Sequence, residues 1–492
     1  MSFVPSKSNY SLILPNALAV ALSIVTAVAP FTAQADTGTN SPFLSGPDSF
    51  TLKSFLESDA PLTFMGITLY GTIDIGMNGE NHGPAYNPDF PTTVGEMLQK
   101  NSNKSTFHYM SNGNEQSSVG IKGAEELMPG LSLVFRLETG FNPTSMHLSS
   151  AQTALIDNPG QSFTPGSSIM GDSSRAGQYF EGQAYAGIDA TALGSVTYGW
   201  QKTPLNELIT KYDPQGPAYA FSPIENSGAV QGGGFTENAR MKQAIKYNVK
   251  YGLVRFAAIY QIPNNINITG GDDAYQINLG ADYAGLTTDI LFGKKNDGVN
   301  ITAAPSGASP YMLTPIVADI TSFGFMAKYD LKEIVPVKVM AGYEHDLLKN
   351  PKSPLSLTNL AENSLADYAF AAPNDTNYNT SEVFHALWFG AQYAITPELS
   401  LNSAYYMYIT ENYSGMTQDA CMTGTGSGKG YNHGHCAGSE EFASISLDYR
   451  FNKRFDVYAG TMYNRINDGM YVNNSYLHNN AISTTGGVRF KF

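Results

Sequence analysis

The chain has 492 residues, with 30 Tyr, 26 Phe and 48 Gly but only 2 Trp, and charged residues make up 14 % of it. Lys and Arg number 28 against 42 Asp and Glu, a net charge of −14, which argues against nucleic-acid binding because that needs clustered cations to neutralise phosphate. Two cysteines are too few for a disulfide-framework fold.

Residues 1–35 read as a secretory signal peptide. Lys7 is the only charged residue there, and Leu12 to Ala29 is apolar apart from small polar residues and an interruption at Pro15 and Asn16. Ala33-Gln34-Ala35 then supplies a small-x-small cleavage pattern before Asp36. Removing this segment takes away one of 28 basic residues and leaves −15. The alternative is a retained anchor helix. Residues 36–62 form an N-terminal extension, in which Phe50, Leu52, Phe55 and Leu56 predict a short amphipathic helix over 48–58. No later run approaches the ~20 apolar residues of a spanning helix.

Residues 63–492 read as one domain built on a two-residue period. In 64–77, Met65, Ile67, Leu69, Ile73 and Ile75 share one face and Thr68, Tyr70, Thr72 and Asp74 the other. In 131–141, Leu131, Leu133, Phe135, Leu137 and Phe141 oppose Ser132, Arg136 and Glu138. Segment 441–451 sets Ala443, Ile445, Leu447, Tyr449 and Phe451 against Phe442, Ser444, Ser446, Asp448 and Arg450. Segment 481–492 sets Ile482, Val488, Phe490 and Phe492 against Ser483, Thr485, Arg489 and Lys491.

Short turns are expected at 125–130, 191–194, 284–285, 396–398 and 452–454. Long Gly/Asn/Ser-rich loops are expected near 78–104, 143–177, 201–239, 295–319, 347–380, 410–438 and 465–480. Short connections at one end and long ones at the other distinguish a membrane barrel from a soluble sandwich. The expected fold is all-β: a single antiparallel transmembrane β-barrel of about 16 strands.

At the first strand a resemblance begins. Ile67-Thr-Leu-Tyr-Gly-Thr-Ile-Asp-Ile-Gly76, Ser118-Val-Gly-Ile-Lys-Gly-Ala-Glu-Glu126 and Leu131-Ser-Leu-Val-Phe-Arg-Leu-Glu-Thr-Gly-Phe-Asn142 resemble segments of the neisserial and burkholderial general porins. Gln183-Ala-Tyr-Ala-Gly-Ile188, Gly194-Ser-Val-Thr-Tyr-Gly199, Arg240 with Ile245-Lys-Tyr247, and the terminal Phe492 follow in the same order. The matches cover mainly 64–260 and the C-terminus. The resemblance implies a 16-stranded homotrimer in the outer-membrane lipid, with Phe492 presented to the barrel-assembly machinery. It also implies that the third loop, 201–239 here, folds into the lumen and carries Glu207, Asp213, Glu225 and Glu237 there. Two departures stand out. Ser118 occupies a position where the family usually has arginine, and Gly199-Trp200-Gln201 replaces its usual Gly-Arg-Gln. The family's anion preference therefore does not carry over.

Alternation assigns the pore-lining charges. Lys122 shares a face with Ser118 and Gly120, and Arg136 with Glu138. Arg240, Lys242, Lys246 and Lys250 form a basic ladder beside the acidic loop, with Arg255, Arg489 and Lys491 nearer the mouths. A lipid-facing charge at mid-depth costs about 2–4 kcal/mol, which supports the inward assignment. The bland reading is a wetted wall with local ion pairs. The missing arginines and the acidic loop favour cations, which is the preferred reading, and the ladder from Arg240 to Lys250 argues for anions. Trp200 belongs by parity with Val196 and Tyr198 on the lipid side, and by resemblance at the constriction; the second is preferred here because parity often fails at a strand end.

Cys421 and Cys436 lie in one loop of an exported chain, so a disulfide is expected, with a zinc site using His433 and His435 as the alternative. Gly424-Thr-Gly-Ser-Gly-Lys429 resembles a phosphate loop but has Thr423 and Gly430 at two required positions. No metal, nucleotide or flavin signature stands out, and no cofactor is expected. The expected function is passive diffusion of ions and small polar solutes, without an enzymatic step. The alternatives are a substrate-selective channel with Tyr405, Tyr406, Tyr408 and Tyr413 as an aromatic track, a barrel-borne hydrolase using His385 near Ser381, and a non-conducting adhesin or structural barrel.

Overall fold

The structure, a computed structural model, describes residues 52–82, 103, 105–144, 179–180, 182–224, 240–262, 273–302, 312–350, 369–370, 374–375, 381–411, 438–468 and 478–492. The signal segment, Glu225, Glu237, Cys421 and Cys436 lie outside the described residues. The chain divides at Asp59/Ala60. In the first unit, helix α1 spans Leu52–Glu57, within the expected 48–58.

The second unit is a closed antiparallel barrel of 16 strands. They are β1 (Ile67–Glu80), β2 in two pieces (Thr106–Ser111 and Ser118–Met128), β3 (Leu131–Gly140), β4 (Gln183–Ala190), β5 (Gly194–Lys202), β6 (Arg240–Tyr251), β7 (Val254–Gln261) and β8 (Ala274–Tyr283). Then come β9 (Leu286–Thr302), β10 (Met312–Asp330), β11 (Val337–Lys349), β12 (Glu382–Ala394), β13 (Leu399–Thr410), β14 (Gly438–Arg450), β15 (Phe455–Asp468) and β16 (Asn480–Lys491). Each strand pairs with its chain neighbours, and β16 returns to β1 with Thr72 opposite Lys491 and Glu80 opposite Ser483. Closure satisfies every edge, which lipid requires because it offers no hydrogen bonds.

Connections of two to six residues join β2 to β3, β4 to β5 and so on around one end, and the long ones gather at the other. The turns at 252–253 and 331–336 and the loop at 262–273 add to those expected. The expected loop 295–319 is narrower, because β9 and β10 extend to Thr302 and from Met312. β9 keeps pairing past a register shift between Lys295 and Gly298, which breaks the alternation the sequence reading relied on.

The outward row is apolar and exposed: Leu69, Leu133, Ile188, Ile245, Leu279, Phe325, Phe389 and Ile445 are all more than one-third accessible. In water this would be a fault, but in hydrocarbon it is the stabilising face. The seam is fastened by reciprocal hydrogen bonds, from the Gly71 amide to the Phe492 carbonyl and from the Phe492 amide to the Gly71 carbonyl, both 3.0 Å. Deleting Phe492 removes both, roughly 1 kcal/mol each. A smaller fraction of protein is expected to show the heat-modifiable gel mobility of a folded barrel, and an unchanged fraction would contradict this role of the seam.

Candidate functional site

The third long connection enters the lumen. Its first residues fold into helix α2 (Pro204–Tyr212). Thr203 caps the helix by accepting from the Asn206 amide at 3.3 Å, and Pro204 suits the first turn, where its missing N–H has no intrahelical acceptor anyway. Leu205, Leu208, Ile209 and Tyr212 recur at helical spacing and are all buried. They pack with Leu291, Ile320, Met326, Leu348, Phe384, Trp388, Tyr406, Tyr408, Phe442 and Met462 from β9–β15. The lumen is thus split: where the loop lies, the inner wall is apolar and closely packed, and elsewhere it is polar and open. Burying one such Leu or Ile contributes about 1.5–3 kcal/mol.

Polar groups fix the loop in register. Trp388 Nε1 donates to the Tyr212 carbonyl at 3.1 Å, and Gln392 Nε2 donates to that of Pro214 at 2.9 Å. Lys211 and Arg255 each lie 2.8 Å from Asp289, to which the Tyr212 hydroxyl also donates. Asp213 accepts from the Tyr406 hydroxyl at 2.5 Å, from the Gln215 amide at 2.8 Å and from the Ser222 hydroxyl. Burial among neutral donors pushes the Asp213 carboxyl up to about 7, with the hydrogen bonds from Ser222, Tyr406 and Gln215 pulling the other way. Gln215 reaches Ser444 and Ser446 at 3.0 and 2.7 Å, and the Ala220 amide donates to the Gly113 carbonyl at 2.8 Å.

Opposite the loop lies a void of ≈ 350 Å³. Its wall carries four cations, Arg136, Lys202, Arg240 and Lys491, and two carboxylates, Glu115 and Glu138, with Tyr70 among them. The loop contributes Asn206, Thr210, Pro217 and Tyr219, none of them charged. Tyr70 lies flat against Gly120, where a β-carbon would come within 2.5 Å of the ring. Its hydroxyl donates to Glu138 at 2.9 Å and accepts from Arg136 Nε at 2.7 Å. Arg136 pairs with Glu138 at 2.5 Å, and the Lys122 ammonium sits 5.4 Å from the Tyr70 ring centre.

The structure places Lys122, Arg136 and Glu138 together on the inner wall, and Arg240 beside them. Three expectations need correction. First, the basic ladder is broken. Gly199 faces Ala244 while Gln201 faces Met241, so Lys242 and Gln243 both oppose Trp200, and Gln243 adopts φ 49°. A bulge of this kind resets the parity of everything beyond it. Arg240 faces the void, Lys246 is bound to Glu207 at 2.6 Å, and Lys250 lies 3.6 Å from Asp282.

Second, the acidic residues of the described half of the loop are both engaged. Asp213 is 1 % exposed, fastening the loop to its support, and Glu207, itself exposed, pairs with Lys246. Third, Trp200 is paired with Ala184, as Tyr198 is with Ala186 and Val196 with Ile188, so it belongs to the outward row and not to the constriction. Of the aromatic track, Tyr406 and Tyr408 are 0 % and 1 % exposed beneath the loop, and Tyr413 lies outside the described residues. His385 Nδ1 and Nε2 lie 2.9 Å from the Tyr343 hydroxyl and 3.2 Å from Glu411, so both ring nitrogens are committed away from Ser381.

Sequence reasoning missed Tyr70, Lys202 and Glu115 as lining residues and placed Lys491 nearer a mouth. Alternation alone gave the sidedness of Tyr70. Glu115 had no signal, because the chain leaves the strand there.

A closed barrel with an apolar outer belt, a loop packed inside it and a charged void beside that loop defines a transmembrane channel protein. The chain matches the Gram-negative porin family over residues 17–469 and belongs to it; it is an outer-membrane barrel. An outer membrane porin of Bordetella pertussis is 24 % identical over 283 residues, 54 % of this chain and 61 % of that protein, so the match spans less than two-thirds of that relative. Among solved structures, an anion-selective porin from Comamonas acidovorans superposes with a TM-score of 0.54 at 13 % identity, covering 87 % of this chain and 99 % of that one. OmpT of Vibrio cholerae in its trimer form gives 0.50 at 13 % identity, covering 87 % and 99 %. At such identities the likeness speaks to the fold.

Proposed function

We propose that this barrel is a water-filled outer-membrane channel through which ions and small hydrophilic solutes diffuse, with a preference for anions at its constriction. The observation carrying this reading is the void of ≈ 350 Å³ left between the inward loop and a wall bearing four cations and two carboxylates. Low-dielectric walls focus the field of such charges onto the solute path, and the net sign sets which ion is stabilised in passage. No bond is made or broken, so the reading has no catalytic residue and no cofactor. The assembly is a homotrimer, set in outer-membrane lipid, with Phe492 offered to the assembly machinery. Residues 1–35 act as the export signal, and Cys421–Cys436 form a disulfide within one loop.

The test is single-channel recording of the refolded protein in a planar bilayer, with the reversal potential read under a KCl gradient. Conductance steps in groups of three, with a reversal potential of the sign given by chloride preference, are expected. Folded protein that conducts nothing would overturn the channel reading, and a potassium-preferring potential would overturn the assignment of the constriction charge.

A further inference from the structure

We propose that residues 112–117, where β2 leaves the wall, form a second lip of the constriction, and that Glu115 on this lip sets the pore's ion preference by masking Lys491. The inference rests on the channel reading above. Ser111 pairs with Ile75, and Ser118 pairs with Thr72. Two residues of β1, Ile73 and Asp74, are therefore faced by six of β2. Four residues more than the register can hold must leave the sheet, and they go inward.

The lip is held from several sides. Asp74, buried on the inner face of β1, accepts from the Asn114 and Glu115 amides at 2.7 and 2.8 Å and from the Tyr458 hydroxyl at 2.6 Å. The Asn112 amide donates to the Asp74 carbonyl at 3.1 Å, and Asn112 Oδ1 accepts from the Ser117 amide at 2.7 Å, which closes the neck. Gly113 sits against Tyr458, where a β-carbon would lie 2.3 Å from the hydroxyl. From this position the Gly113 carbonyl receives the Ala220 amide of the inward loop, so lip and loop meet across the lumen.

Glu115 leaves the lip towards the void it lines. Its carboxylate forms an ion pair with Lys491 and lies 3.2 Å from Arg489. The two cations differ in their other partners. Arg489 also meets Asp456 at 3.1 Å and Asp448 at 3.3 Å, so its charge stays compensated without Glu115. Among the described residues Lys491 has Glu115 as its ion-pair partner, and its side chain is 42 % exposed. Removing the Glu115 charge therefore releases one cation at the void and leaves Arg489 paired with Asp456 and Asp448.

The experiment compares reversal potentials of the wild-type barrel, Glu115→Gln, Lys491→Gln and the double variant in the same KCl gradient. One unit charge about 5 Å from the ion path in water changes the chloride-to-potassium permeability ratio by about twofold after screening. Glu115→Gln is expected to raise that ratio by this factor and Lys491→Gln to lower it. The double variant is expected to return close to wild type. Should Glu115→Gln not fold, the shift in Lys491→Gln decides the matter. A ratio unchanged in either folded single variant overturns the proposal while leaving the channel reading intact. A Glu115→Gln shift that the double variant fails to reverse also overturns it, since the lip then acts through shape and not charge. A non-conducting wild type sinks both readings together.

Discussion

Replacing Asp213 by alanine is expected to loosen the inward loop and to give a noisier channel of higher conductance. The carboxylate gathers the Tyr406 hydroxyl, the Ser222 hydroxyl and the Gln215 amide into one buried node. Alanine leaves these donors without an acceptor, and each stranded buried group costs about 1–3 kcal/mol. The loop escapes that cost by moving its 214–224 half into water, so the docked state loses about 3 kcal/mol, a factor on the order of 100 in docked over free. Helix α2 itself stays, because Leu205, Leu208 and Ile209 remain buried under independent contacts.

Asp213→Asn is expected to behave differently. Its amide oxygen can still accept from Tyr406 and Gln215, and its NH₂ can donate to the Ser222 hydroxyl, as a protonated carboxyl does. The Asp213 carboxyl is raised from 3.8 to about 7 in the docked loop. A group whose pKa is raised on docking contributes fully below its free value and loses that contribution as pH climbs towards the docked value. Loop noise in the wild type is therefore expected to grow between about pH 4 and pH 7 and to level off above. Asp213→Asn should be quiet and flat across the range. The check is conductance variance against pH for the three proteins; a wild type and an Asn variant with identical profiles would remove Asp213 as the titrating fastener.

The same loop shows where the sequence was informative. Alternation placed Thr68, Tyr70, Thr72 and Asp74 inward and Ile445, Leu447 and Tyr449 outward, as the burial of these strands shows. Each rests on local periodicity, which survives wherever one face meets lipid. What eluded the reading is non-local. Tyr406 and Tyr408 face inward although they are aromatic, because α2 covers them, as it covers Phe442, which alternation itself places on the inward face. Helix α2 leaves a trace, in Thr203-Pro204 followed by Leu205, Leu208, Ile209 and Tyr212 at helical spacing, inside a stretch whose Gly and Pro content points to loop. The bulge at Gln243 left none: it adds one residue to β6 without changing composition, and a one-residue shift moves every later side chain to the other face. The inward step at 112–117 is hidden for a related reason, since four surplus residues are visible only when β1 is laid beside β2.

The double variant Lys202→Glu with Arg240→Gln is expected to invert the ion preference. Both residues line the void, at the end of β5 and the start of β6, opposite each other across the sheet. Four cations less two carboxylates leave the void at +2; reversing Lys202 subtracts two charges and neutralising Arg240 one, which leaves −1. Each unit charge about 5 Å from an ion in water is worth about 0.8 kcal/mol. Three units come to about 2.4 kcal/mol unscreened, and counter-ions at 0.1 M cut this to about a tenfold change in the chloride-to-potassium ratio. Glutamine keeps a donor for the Gly182 carbonyl that Arg240 now holds through Nε, so the wall should keep its shape. The reversal potential under a KCl gradient should change sign while the conductance at 1 M KCl changes little, since salt at that concentration confines the field to about 3 Å. A potential of unchanged sign in a folded, conducting variant would mean that the ion-selecting charges lie elsewhere along the lumen. A large loss of conductance at 1 M KCl would mean that the pair acts on the width of the void instead.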